Sequence, residues 1–277
     1  MKKTLTLSLL LLFQTLTLTA WSNNIKADER NDLDDDVSLE QFSEQEGVLK
    51  AEEQIKLAVN EFNTGQLTQA LNRLNRVIQM DNRLEKAYLL RGLVNRKLQN
   101  YQEALTDYNK AIELNPSRAS TYLNRGVAKT MIKELEQAIV DYDKALELKP
   151  DYAAALYNRG NAKYMTGNYS DSLDDFTQAI TFRDDYTNAY YARALSYAKV
   201  DQFAKALEDY GTVLKLKPDY AGAYFNRSLV KTILKEYVTA LEDVRKAKEL
   251  YENQNNQGGI KASDKLIDYI SYKLENP

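Results

Sequence analysis

The sequence has 277 residues, with 37 basic and 40 acidic side chains and a net charge of −3. It contains no histidine and no cysteine, which excludes a Ser-His-Asp or Cys-His site, imidazole or thiolate metal ligands, and disulfide bonds. No phosphate-binding G-x-x-x-x-G-K-[ST] motif occurs either, so we predict a non-enzymatic protein with no catalytic residue, no metal and no cofactor.

Residues 1–22 have the pattern of a secretory signal peptide. Lys2 and Lys3 precede an apolar run, and Ala20 and Ser22 are small residues suited to cleavage. The uncharged stretch 4–25 is long enough to span a bilayer, but polar residues in its second half favour cleavage over a retained anchor. In either case the lysines stay cytoplasmic, so we expect an exported protein, periplasmic or extracellular, with no membrane insertion after cleavage.

Residues 23–46 form an acidic segment. Nine acidic and two basic residues give it a charge of −7, which leaves residues 47–277 at +2. A body so close to neutral does not predict nucleic-acid binding. The acidic segment is predicted to be a disordered linker. A sharper alternative is that it folds back and occupies a binding groove until a partner displaces it.

A 34-residue period dominates the rest of the chain. Pro116 and Pro150 stand one period apart, and Pro218 follows two periods later. Ser38 and Gln41 resemble a capping box, so a helix is expected to lead into the array. Ending each frame near its proline predicts an array over 47–254 with six repeats: 51–84, 85–118, 119–152, 153–186, 187–220 and 221–254.

The third repeat carries the residues of a known pattern, namely Tyr122, Arg125, Gly126, Ala138, Tyr142 and Pro150. Over about three quarters of the chain, this pattern resembles the tetratricopeptide repeat. The resemblance implies an all-α fold, a right-handed α-solenoid of six helix-turn-helix repeats with a C-terminal capping helix. Most tyrosines then fall at packing positions, such as Tyr108, Tyr142 and Tyr210 with Phe176, rather than in a binding site.

Five repeats carry arginine where the family usually has leucine, and an aspartate stands at position i+16 from each arginine. The pairs are Arg91 with Asp107, Arg125 with Asp141, Arg159 with Asp175, Arg193 with Asp209, and Arg227 with Asp243. The first repeat lacks both members and has Leu57 and Arg73 instead. This joint presence and absence predicts an ion pair between the two helices of each repeat. The alternative is that each aspartate pairs with a lysine at i+3, as Asp107 could with Lys110.

The resemblance also implies a concave face lined by the first helix of each repeat. Asparagine side chains can both donate to and accept from a peptide backbone, so a row of them favours peptide binding. The predicted exposed peptide-binding residues are Asn124, Asn158, Asn161, Asn226, Leu123, Tyr157, Tyr164, Tyr191 and Phe225. The alternative is that the asparagines only solvate the surface or brace neighbouring helices.

Relatives that clamp the terminal carboxylate of cytosolic chaperones need a lysine and an asparagine on one first helix. The matching places hold Leu89 and Leu93 in one repeat and Tyr157 and Asn161 in another, with no lysine in either. The resemblance therefore does not extend to that clamp, which agrees with export.

The end of the chain is predicted to form a loop over 253–259 and a capping helix over 260–275. Leu266, Ile267, Ile270 and Leu274 would share one face of this helix and cover the open end of the array. The alternative is that the same face pairs with a second copy in a homodimer.

The sequence thus predicts a scaffold or adaptor that binds a protein or an extended peptide. One alternative is a carbohydrate-binding accessory in cell-wall or surface-glycan assembly, in which Tyr157, Tyr164 and Tyr191 would stack on sugar rings. Another is a self-associating structural protein.

Overall fold

The computed structural model describes the backbone of residues 46–276 and the side chains of residues 50–276. The predicted signal peptide, and all but the last residue of the acidic segment, lie outside the described residues, and so does the proposed fold-back of that segment. The predicted all-α fold class is confirmed, because 46–276 contains helices and no strand. No helix within this range is long and apolar enough to cross a bilayer.

Thirteen helices follow one another with short connections in the described range. They are α1 (Glu46–Asn63), α2 (Leu67–Met80), α3 (Glu85–Lys97), α4 (Tyr101–Leu114), α5 (Ala119–Met131), α6 (Leu135–Leu148), α7 (Ala153–Met165), α8 (Tyr169–Phe182), α9 (Thr187–Lys199), α10 (Phe203–Leu216), α11 (Ala221–Ile233), α12 (Tyr237–Asn253) and α13 (Gln257–Glu275). Each predicted repeat supplies one first helix and one second helix.

The described chain divides into two compact units at Asn168 and Tyr169. The N-terminal unit contains α1 to α7, and the C-terminal unit contains α8 to α13. Within each unit, consecutive helices pack as antiparallel neighbours, and each first helix also lies beside the first helix of the next repeat. The division falls inside the predicted fourth repeat, between its two helices.

A left-handed residue ends the first helix of every repeat. Positive φ values recur with the 34-residue period, at Gly65, Gln99, Lys133, Gly167, Asp201 and Lys235. At Gln99, the backbone amide of Asn100 donates to the carbonyl of Asn95, and the amide of Gln99 donates to that of Arg96. This is the Schellman arrangement, which satisfies the last carbonyls of a helix. Only two of the six positions carry the glycine that suits a positive φ.

Second helices end in extended backbone. Asn115, Lys149 and Lys217 stop α4, α6 and α10 with φ near −140°. Each is followed by one of the three periodic prolines, and a proline disfavours helical backbone in the residue before it. The prolines that reveal the period therefore also end the second helices.

The core between the two helices of a repeat is built from a small residue against a large one. A Cβ atom added to Gly92 would lie 2.5 Å from the ring of Tyr108, and one added to Gly126 would lie 2.6 Å from Tyr142. Both rings are fully buried, as are Tyr210 and Phe176, which confirms their predicted packing role. The glycines therefore let the helices approach to ring-contact distance.

The last helix begins earlier than predicted. α13 starts at Gln257, so the predicted loop over 253–259 is wrong in length. The side chain of Asn256 accepts from the amide of Gly259 and caps the helix, with an N···O distance of 2.9 Å. Gly259 also has no space for a side chain, because the ring of Tyr251 lies against it. Of the two glycines that suggested a loop, only Gly259 makes this close contact, because a Cβ atom at Gly258 would lie at an ordinary 3.5 Å from Oδ1 of Asn256.

α13 packs on α12 as the predicted cap. Leu266 and Ile270 are buried, Ile267 is half-buried, and Leu274 is exposed. Lys248 of α12 bonds Asp264 of α13 at 2.7 Å. The apolar face of α13 is therefore used within the C-terminal unit.

Candidate functional site

Four of the five predicted arginine–aspartate pairs join the two helices of a repeat in the structure. The closest N···O distances are 2.6 Å for Arg91 with Asp107, 2.5 Å for Arg125 with Asp141, 2.8 Å for Arg193 with Asp209 and 2.6 Å for Arg227 with Asp243. In each pair the arginine donates from Nε and Nη2, which is the bidentate geometry that favours arginine over lysine.

The competing pairing is not the one observed. Lys110, which could have bonded Asp107, instead bonds Glu113 at 2.7 Å on the exposed side of α4. Arg159 and Asp175 belong to different units, so their pairing stays a prediction.

Four of the arginines also have a partner in the preceding repeat, which sequence reasoning did not predict. The remaining Nη1 donates to a side chain at position i−16: Arg91 to Asn75, Arg125 to Asn109, Arg159 to Asp143 and Arg193 to Thr177, at 2.7 to 3.2 Å. We call this series the arginine ladder. The sequence does carry a sign of the arginine ladder, because polar acceptor side chains recur every 34 residues, sixteen positions before each of these arginines. The series ends at Arg227, because position i−16 there is Gly211.

The buried aspartates differ in how many cations they face. Lys129 adds a second cation to Asp141 at 2.8 Å, and Lys231 does the same for Asp243. Asp107 instead accepts from the neutral amide of Asn95 at 3.0 Å. These repeats thus have the same arginine–aspartate pair, but they differ in whether a second cation also contacts the aspartate.

In the fifth repeat, the pairing cation of Asp209 is Arg193. Burial raises the pKa of Asp209, and this outweighs the lowering by its hydrogen bond to Arg193. For Arg193, burial lowers the pKa but the hydrogen bond and attraction to Asp209 prevail, so that its pKa is raised. At the place of Lys129, this repeat has Tyr197, whose ring lies 5.7 Å from the guanidinium of Arg193. A ring supplies less compensation to a buried carboxylate than an ammonium group does.

The first repeat holds an inverted pair. Arg73 on α2 bonds Glu61 on α1 at 2.7 Å and also donates to Gln54. The hydrogen bond to Glu61 raises the pKa of Arg73. Leu57, at the position that arginine holds elsewhere, is 42 % exposed. In this repeat the cation lies on the second helix and the anion on the first. A search for an arginine followed by an aspartate sixteen residues later could not find such a pair.

The predicted exposure of the groove residues is wrong for seven of the nine. The buried ones are Leu123, Asn124, Tyr157, Asn161, Tyr191, Phe225 and Asn226. The rings of the C-terminal unit show the reason. Tyr191 lies 4.9 Å from the ring of Tyr220, and Phe225 lies 6.4 Å from Tyr251, so both pack against the elements that follow. Helical periodicity places these residues on one face, but neighbouring elements cover that face. Asn158 and Tyr164 remain half-buried.

Two of the asparagines bond within their own helix, and a third connects neighbouring helices. Asn124 and Asn158 donate to the carbonyls of Ser120 and Ala154, one turn earlier, at 2.9 Å. Asn226 donates to the hydroxyl of Tyr191 at 2.6 Å and so joins two repeats. The Oδ1 atoms of Asn124 and Asn226 are buried and accept no hydrogen bond within the described part of the chain.

Part of the first-helix face of the N-terminal unit stays accessible. Five half-buried residues on the neighbouring helices α5 and α7 form what we call the first-helix strip: Ser120, Met131, Ala154, Asn158 and Met165. Asn124 lies between Ser120 and Met131 on α5, at the position equivalent to Asn158 on α7. The strip combines one amide and one hydroxyl group with small and flexible apolar side chains.

Among residues 50–276, no group of three or more acidic side chains is placed to hold a metal ion.

Family models match three stretches of the chain. Two models described as tetratricopeptide repeat match 85–118 and 187–220, and one described as TPR repeat matches 132–167. The chain is a tetratricopeptide-repeat protein. The first two matches coincide with the predicted second and fifth repeats, whereas the third is offset within its period. No curated protein matches the chain in sequence.

Solved structures of repeat proteins resemble this one. A crystal structure of MamA is 26 % identical over 59 % of this chain and 96 % of its own, with a TM-score of 0.56. YrrB, described as a TPR protein with an unusual peptide-binding site, is 20 % identical over 69 % and 97 %, with a TM-score of 0.58. PilF of Pseudomonas aeruginosa is 16 % identical over 78 % and 97 %, with a TM-score of 0.69. The last two likenesses concern the fold. The repeats place the chain in the class of protein-interaction scaffolds.

Proposed function

We propose that this protein is a non-enzymatic scaffold that binds an extended peptide, or an extended segment of a partner protein, along the first-helix strip. The observation that carries the proposal is the unpaired Oδ1 of Asn124, together with the half-buried Asn158 at the equivalent position one repeat later. A buried acceptor without a donor costs about 1–3 kcal/mol, so a donor that reaches it after a side-chain rotation is favoured.

The geometry suits a peptide backbone. Asn158 uses its Nδ2 group within its own helix, which leaves its half-buried Oδ1 atom to accept from a backbone amide of a partner. Asn124 is buried, so its side chain reaches a partner only by a rotation that gives up its hydrogen bond to Ser120. Backbone recognition of this kind does not depend on the partner's side chains. Met131 and Met165 lie at equivalent positions one repeat apart, and methionine adapts its shape to varied apolar groups. The peptide-binding site described for YrrB supports the same class of ligand.

The carbohydrate alternative is weakened. Tyr157 and Tyr191 are 1 % and 2 % exposed, so neither offers a ring face to a sugar. Only Tyr164 of the predicted stacking residues keeps partial exposure. The self-association alternative is also weakened. The apolar face of α13 that would pair with a second copy is already covered, since Leu266 and Ile270 are buried within the unit.

We also propose that the protein is exported, on the strength of the signal-peptide pattern in residues 1–22. Mass spectrometry of the protein exported from a bacterial host should give a chain that begins near residue 23. An intact N-terminus in the cytoplasmic fraction would contradict export.

The binding proposal is tested by capture of partners from an extracytoplasmic extract with quantitative mass spectrometry. The variant Asn124→Ala/Asn158→Ala should lose partners that the wild type recovers. Gln137→Ala is the matched control, because Gln137 is an exposed amide on the second helix α6. A segment of each lost partner, made as a synthetic peptide, should bind the wild type and the control but not the double variant. Equal recovery by all three forms would refute the site.

A further inference from the structure

The junction between the helix pairs α9–α10 and α11–α12 differs from the others in how its two sides are joined. Both pairs belong to the C-terminal unit. We infer that this junction is a hinge, attached on the first-helix side and released on the second-helix side. α11, α12 and α13 would move about it as one body.

The first-helix side is tightly attached. Asn226 of α11 donates to the hydroxyl of Tyr191 of α9 at 2.6 Å, and both residues are buried. The ring of Tyr191 also lies 4.9 Å from that of Tyr220, just before α11. A Cβ atom on Gly222 would meet the Tyr191 hydroxyl at 3.1 Å, so α11 closely approaches this residue. These contacts fix the pivot.

The second-helix side lacks the connection that the arginine ladder provides elsewhere. Arg227 uses Nε and Nη2 on Asp243, within its own pair, at 2.8 and 2.6 Å. Its Nη1 has no acceptor in the described chain, because Gly211 on α10 has no side chain. A Cβ atom at Gly211 would meet nothing within 4 Å. The other four arginines each donate from Nη1 to the preceding repeat.

Glycine in a helix interior also loosens α10 itself. It lacks a side chain to pack and gains more freedom on opening than any other residue. The last helix follows the motion of α12, because Lys248 bonds Asp264 and the apolar face of α13 is buried on it. A firm contact on one edge and a gap on the other is the geometry of a hinge rather than of separation.

The hinge can be measured as a distance distribution between spin labels. The chain has no cysteine, so labelling sites can be introduced in pairs without a competing thiol. Lys205→Cys on α10 and Val238→Cys on α12 report the proposed hinge. Glu103→Cys on α4 and Glu136→Cys on α6 sit at the matched junction, where Arg125 bonds Asn109. All four sites are exposed.

We expect a broader distribution for the 205/238 pair than for the 103/136 pair in the full chain. Gly211→Asn, which copies the acceptor found at Asn109, should remove the broader component. Gly211→Ala tests helix propensity alone and should leave most of it. Gly211→Thr, which copies the acceptor Thr177, repeats the test if the asparagine variant does not fold. Equal widths at the two junctions, or equal narrowing by alanine and asparagine, would overturn the hinge.

Discussion

Removing a ladder arginine should cost different amounts in different repeats. Among the residues that the structure describes, Arg91→Met leaves the buried Asp107 with only the amide of Asn95 as a partner, whereas Arg125→Met leaves Asp141 with Lys129 at 2.8 Å. A buried charge that has lost its partner destabilises by about 3–5 kcal/mol. Because about a fifth of each arginine side chain is exposed, we expect the low end, about 3 kcal/mol, for Arg91→Met.

The second cation should reduce that cost by roughly half in the third repeat, to about 1.5 kcal/mol for Arg125→Met. Urea unfolding followed by circular dichroism, and fitted with nearest-neighbour coupling between repeats, measures both values. Adding Asp107→Asn to Arg91→Met should recover much of the loss, since the uncompensated charge is then gone. Equal losses for the two arginine variants, or no recovery in the double variant, would refute the role of charge balance.

The backbone, the core and the buried aspartate give three further predictions. Gln99→Gly should stabilise the protein by about 0.5–1 kcal/mol in the same urea assay, because φ is +65° there, while Gln99→Ala should not. Gly126→Ala should destabilise by about 1–3 kcal/mol, because its Cβ would lie 2.6 Å from the buried ring of Tyr142. The raised pKa of Asp209 means that the folded state binds its proton more tightly, so stability should rise as pH falls from that raised pKa towards the ordinary 3.8. In Asp209→Asn, urea unfolding curves measured between these two pH values should no longer show this rise in stability. A pH profile of stability that is the same in the variant and the wild type would contradict the raised pKa of Asp209.

The helices of this fold could be predicted well from the sequence, because the period fixes several contacts at once. The periodic proline ends a helix by restricting the residue before it, and a glycine recurs where a ring must fit against the first helix. The arginine–aspartate spacing predicted ion pairs correctly for the same reason. An arginine and an aspartate that recur together at one fixed separation have few other partners available to them. Such local rules depend on residue type and not on the surroundings.

The groove residues could not be predicted in the same way. Periodicity places Asn124 and Asn226 on the same face of their helices, but it does not show what covers that face. Asn226 bonds the hydroxyl of Tyr191 because the fifth repeat carries a tyrosine at this position, where the second repeat, which precedes Asn124, has Leu89. The environment of each asparagine is therefore set by the identity of its neighbour one repeat away, which differs along the chain.

The same dependence explains why one irregular residue matters in a regular array. The sequence of α10 alone does not mark Gly211 as important, because a single glycine in a helix is tolerated at a modest cost in stability. Its effect becomes visible only when Thr177 and Asp143, at the same place in the two preceding repeats, are known to bind the next arginine. In a repeat protein each interface stabilises only its neighbours, so one missing acceptor is not compensated from a distance. The place where such an array can move is therefore determined by the position at which its period fails.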